Sequence, residues 1–243
     1  NLVQHLHSKT DVDIAQNGYY ALYMACSNGH LDVVKYFFNN CSVPLDTDLM
    51  DYLLKACCHR GHFSVVKYLY EVILQPKNLV SEEHIKSSLW CCCSTGQYDI
   101  LKYLIQTQHL TKIHLRKCFQ ECSRYGYYDM VRYLMENTEL NADDVRNTRA
   151  LEFSCRSGHF DIVRYLFKTV GLNLEDARRS NALQMSCFNG PFKLVIYLVE
   201  TIGLTASDLR RDECRALRIA CGHGHLDFVK YFHKKIKLTT ADY

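Results

Sequence analysis

A glycine recurs along this chain at Gly29, Gly61, Gly96, Gly126, Gly158, Gly190 and Gly224, at steps of 32, 35, 30, 32, 32 and 34 residues. Seven residues after each glycine stands a tyrosine: Tyr36, Tyr68, Tyr103, Tyr133, Tyr165, Tyr197 and Tyr231. Five after it comes Val34, Val66, Leu101, Val131, Val163, Val195 or Val229, and eight after it Phe37, Leu69, Leu104, Leu134, Leu166, Leu198 or Phe232. Seven before it comes Leu22, Leu54, Leu89, Phe119, Leu151, Leu183 or Leu217. A fixed period in this range is the mark of a repeat architecture, in which one small unit is stacked many times. The first and last copies, residues 25–37 and 220–232, agree at ten of thirteen positions although 195 residues separate them.

Each unit reads as two helices. The first carries apolar and small residues at helical spacing, as in "ALYMAC" (21–26). The glycine then ends it, because helices commonly stop on a residue at positive φ. The second helix begins two or three residues later with an acid in its first turn, Asp32, Asp99, Asp129, Asp161 or Asp227, where the helix dipole favours negative charge. A base follows at i+3, and these pairs describe a solvated face. A lone helix pair cannot bury its apolar side, so neighbours must bury it for one another. The expected fold is all-α: a single array over residues 1–243 of about seven helix–turn–helix units.

"GHLDVVKYF" (29–37), "GHFDIVRYL" (158–166) and "GHLDFVKYF" (224–232) resemble the second helix of ankyrin repeats. "TDVDIAQNGYYAL" (10–22) looks like that family's β-hairpin leading into a first helix. No unit keeps the family's T-P-L-H. In later connectors, Asn141 with Asp144, Asn173 with Asp176 and Thr205 with Asp208 have capping spacing and suggest a short helical turn in place of the hairpin. This degenerate style resembles arrays of giant DNA viruses and amoebae. "NLVQHL" (1–6) reads as the tail of an earlier second helix and "KLTTADY" (237–243) as the start of another connector, so the chain is expected to be a window on a longer array.

A net charge of +3 is too small to announce a nucleic-acid or membrane-surface protein. No apolar run reaches the roughly 18 residues of a membrane span. Thirteen cysteines with only three prolines are unlike a disulfide scaffold. Cys26, Cys58, Cys93, Cys155, Cys187 and Cys221 share one column and Cys57, Cys92 and Cys122 another, both expected to be small buried sites. A reducing, cytoplasmic setting follows, or host cytoplasm or virion for a viral protein. No zinc spacing, phosphate loop or nucleophile motif is present, so no metal, cofactor, catalytic residue or small-molecule substrate is expected. Histidine after the glycine (His30, His62, His159, His225) is repeated four times, which suits turn structure better than a catalytic dyad. The tyrosine column is expected to seal adjacent units rather than form an exposed binding track.

Resemblance to ankyrin repeats implies a protein partner held on a concave face built from connector ends and first helices. The residues placed there are Tyr23, Trp90, Arg116, Arg124, Tyr125, Arg149, Arg156, Arg178, Phe188 and Arg218, aromatic and arginine types that dominate binding hot spots. Nucleic acid is disfavoured because acids interleave the bases. In the sixth unit Pro191 and Lys193 replace histidine and aspartate, and Ile196 replaces the base, which marks Ile196 as an expected docking patch. The expected function is a non-catalytic interaction scaffold; the alternative is a structural component of a large assembly such as a virus particle.

Overall fold

The computed structural model describes residues 14–236. The readings placed on residues 1–6, 10–13 and 237–243 lie outside the described residues. All regular structure among the described residues is helical. The chain divides into two compact units, residues 1–109 and 110–243.

In the first unit, α1 (Ile14–Ser27), α3 (Thr47–Arg60) and α5 (Glu82–Thr95) are the first helices of successive pairs and pack side by side. Their partners are α2 (Leu31–Asn40), α4 (Phe63–Tyr68, continuing as a wider π turn over Leu69–Leu74) and α6 (Tyr98–Thr107). Helix α1 already covers residues 14–22, so this part of the expected hairpin is helical instead; it contains one glycine and no proline to stop a helix.

In the second unit the first helices are α7 (Lys112–Tyr125), α10 (Ala150–Ser157), α13 (Ala182–Asn189) and α15 (Ala206–Gly222), again packed in sequence. The second helices are α8 (Tyr128–Asn137), α11 (Phe160–Tyr165, with a π turn over Leu166–Val170), α14 (Phe192–Ile196, with a π turn over Tyr197–Thr201) and α16 (Leu226–Ile236). The short connector helices α9 (Ala142–Arg146) and α12 (Leu174–Arg179) stand where the capping residues place them. Asn141 and Asn173 accept from the backbone N–H groups of Asp144 and Asp176, whose carboxylates accept in return. Helix α15 is broken by a kink over Arg211–Cys214.

The repeating columns form the core. The position seven before the glycine is at most 5% exposed in every unit; of the tyrosine column, Tyr103, Tyr133, Tyr165 and Tyr197 are buried, while Tyr36, Tyr68 and Tyr231 are half-buried. Each buried side chain of this size contributes about 1.5–3 kcal/mol relative to an exposed one. Within each compact unit, the tyrosine meets the aromatic two residues past the preceding glycine edge to face. The pairs are Phe63–Tyr103, Tyr128–Tyr165, Phe160–Tyr197 and Phe192–Tyr231, with centroids 5.6, 5.7, 5.6 and 5.5 Å apart.

Six of the seven column glycines adopt φ between 70° and 87°. At these positions the next residue's N–H closes onto the carbonyl four residues before the glycine, as in His62 to Cys57 and His159 to Ser154 at 2.9 Å. Gly190 differs, with φ −69° and ψ 145°. Pro191 follows it, and a proline both lacks the N–H and forces its predecessor into extended backbone.

The histidine after the glycine ties one unit to the one before. His62 Nε2–H donates to the Ser27 carbonyl at 2.9 Å, His159 to Arg124 at 3.0 Å and His225 to Phe188 at 2.9 Å, and Gln97 reaches His59 in the same way. The repeated histidine is therefore a stacking element.

Candidate interaction surface

Exposed side chains of the first helices form one hollow within the first compact unit. Tyr23 on α1 and Tyr52 on α3 stack with centroids 4.4 Å apart and ring planes 15° from parallel. Tyr20, three residues before Tyr23, extends the stack at 6.3 Å. Trp90 on α5 stands across from them, 57% exposed, and Tyr52 is 51% exposed. Tyr23, Tyr52 and Trp90 line a groove of about 900 Å³ with Ala56 and Cys91, and with Lys55, His59 and Arg60. The helical pattern explains the gathering. Tyr23, Lys55 and Trp90 all lie six residues before their glycine, and Tyr20 and Tyr52 lie one turn earlier on the same face.

Lys55 Nζ pairs with Asp51, and the hydrogen bond it donates to that carboxylate raises the Lys55 pKa above its ordinary value. Arg60 makes no ion pair among the described residues. The two carbonyls at the helix ends beside the groove, Ser27 and His59, are already occupied by His62 and Gln97.

The expected site residues do not gather in one place. Tyr23 and Trp90 share this groove. In the second unit Arg124 and Arg149 lie over Phe153, and Arg124 also lies over Tyr125. The Arg124 guanidinium lies 5.1 Å from the Phe153 ring and 5.7 Å from Tyr125, and Arg149 lies 4.8 Å from Phe153 while bonded to Glu152. Arg156 covers Phe188 at 4.9 Å.

Arg116 and Arg178 serve the fold. Arg116 donates to Asp144 and Arg178 to Asp208, at 3.0 and 2.8 Å through Nε, and Arg146 does the same to Asp176 at 3.2 Å. These carboxylates are buried. Arg116 holds the Asp144 carboxyl below the usual carboxylate range. Burial pushes the Asp208 carboxyl up, but its bonds from Arg178 and Thr205 outweigh this and hold it below the ordinary value. Arg218 braces the kink before it, 3.4 Å from Glu213. Ile196 is half-buried.

The cysteines are all free thiols, eleven of them buried. Burial pushes Cys26, Cys91 and Cys187 up to about 12, which keeps these thiols protonated and unreactive. Cys221 departs from its column and is exposed, because no described helix pair follows its unit to cover it. No group of histidine, cysteine and acidic residues fit to hold a metal occurs among the described residues. No described helix is long and apolar enough to cross a membrane.

No curated protein matches the chain. A family model described as ankyrin repeats (3 copies) matches residues 1–78 and 89–176, more than half of the sequence. The helix pairs, the glycine-capped turns and this match agree: the chain belongs to the ankyrin-repeat family.

Proposed function

We propose that this chain is a non-catalytic interaction module whose units run as one array over residues 1–243 and hold a protein partner on the first-helix face. Ankyrin repeats generally mediate protein–protein interaction. The observation that carries the reading is the open aromatic groove of Tyr23, Tyr52 and Trp90, a large ring surface left uncovered beside an otherwise well-sealed core. Exposed aromatic clusters of this kind mark binding sites. The non-catalytic part is supported by His62, His159 and His225, whose ring N–H groups bond the preceding unit, and by the high pKa of the buried thiols.

The test is quantitative capture of a partner from the source cell by the wild-type chain and by Trp90→Ala and Tyr52→Ala. Both side chains are more than half exposed, so both variants should fold. Each is expected to weaken binding by about 30-fold, the scale of a hot-spot residue losing ~2 kcal/mol. Unchanged affinity in the double variant would reject this face as the binding surface.

A further inference from the structure

We infer that the groove between Tyr52 and Trp90 selects a short extended peptide segment carrying an aromatic or large apolar side chain next to acidic residues. This rests on the interaction reading above and adds the chemistry of the ligand.

The volume, about 900 Å³, is at the upper end of pockets that enclose a drug-sized molecule, which suits a short run of residues better than one side chain. The walls are flat rings, and the floor between them carries the small side chains of Ala56 and Cys91. That shape accepts a planar or bulky apolar group laid against the Tyr23–Tyr52 stack, where offset or edge-on ring contact is favourable.

Charge decides what flanks that group. The lining includes Lys55 and Arg60 and no aspartate or glutamate. Asp51 lies against Lys55 and partly neutralises it, leaving Arg60 as the uncompensated charge at the rim. Aromatic faces attract cations, but with Lys55 and Arg60 and no carboxylate in the lining, the groove favours an acidic ligand over an ammonium one. The neighbouring carbonyls of Ser27 and His59 each already accept one hydrogen bond, from His62 and Gln97, which weakens their pull on a cation. A carboxylate beside Arg60 gains a charge-assisted hydrogen bond from a guanidinium whose fork matches its two oxygens. A nucleic acid would need a row of phosphate-spaced cations, and the groove offers only two.

The test is selection of a random displayed peptide library on the whole chain, followed by titration of synthetic winners. Trp90 is the sole tryptophan, so its emission reports the groove directly. Winners are expected to pair an aromatic or large apolar residue with aspartate or glutamate and to shift Trp90 emission. Their affinity should fall with added salt and drop about tenfold with Arg60→Glu, or when their acids are changed to lysine. Arg60→Gln, which removes the charge without reversing it, should give a smaller drop in the same direction; circular dichroism melts check that both variants fold. Winners that shift Trp90 emission but are uncharged or basic would overturn the acidic chemistry and leave the interaction reading standing. A single-stranded oligonucleotide that displaces the winners at lower concentration than an acidic peptide would also overturn it. Winners that all leave Trp90 emission unchanged would defeat both readings.

Discussion

Gly158→Ala is expected to destabilise the compact unit of residues 110–243 by about 3 kcal/mol, since a left-handed backbone costs an alanine ~1–2 kcal/mol and the methyl has nowhere to go. Gly158 sits at φ 79°, and a Cβ there would lie 2.8 Å from the Asn189 carbonyl oxygen and 3.2 Å from the Gly190 Cα, both backbone atoms of the next turn. The backbone cannot rotate aside as a side chain can, so the two turns must separate. Gly171 provides the control. It has φ 87° and open space around it, so Gly171→Ala should show only the conformational cost of ~1–2 kcal/mol. Urea unfolding followed by circular dichroism reads both, and equal losses would mean that close stacking of turns adds nothing at Gly158.

The second large effect is expected at Tyr197→Ala, a loss of about 3–5 kcal/mol by the same measurement, as for other buried aromatics truncated to alanine. Tyr197 is 9% exposed and meets two rings edge-on, Phe160 at 5.6 Å and Phe167 at 6.3 Å. Truncation removes the contact between successive second helices, and in a stacked array that interface is a separate part of the stability. Tyr197→Phe keeps the ring and should cost no more than about 1 kcal/mol. A small loss for Tyr197→Ala would mean that the tyrosine column does not seal the units.

Most of this fold could be read from the sequence because each unit states the same pattern. The buried columns, the start of each second helix two residues after its glycine, and the capping turns at Asn141, Asn173 and Thr205 depend on local spacing alone. Contacts made between units were harder to see. Arg116, Arg146 and Arg178 pair with acids 28, 30 and 30 residues later, a distance that gains meaning only once the repeats are stacked, so these ion pairs could not be read from the spacing within a unit. The aromatic partners of the tyrosine column, Phe63, Tyr128, Phe160 and Phe192, were missed for the same reason, although their fixed place two residues past the glycine was a usable signal.

The groove was half legible. Tyr23 and Trp90 fall in the exposed first-helix column, but Tyr52 and Tyr20 lie one turn earlier, where no column alignment pointed. At Gly190 the proline that follows overrides the local rule by removing the N–H on which the usual turn depends.

The most direct test of the central claim, that the tyrosines packed between second helices are buried while the first-helix aromatics stay open, is hydroxyl-radical footprinting of the isolated chain read by mass spectrometry. Tyr20, Tyr52 and Trp90 should be oxidised rapidly while Tyr165 and Tyr197 stay protected until the chain unfolds. Equal oxidation of the two sets in the folded protein would contradict it.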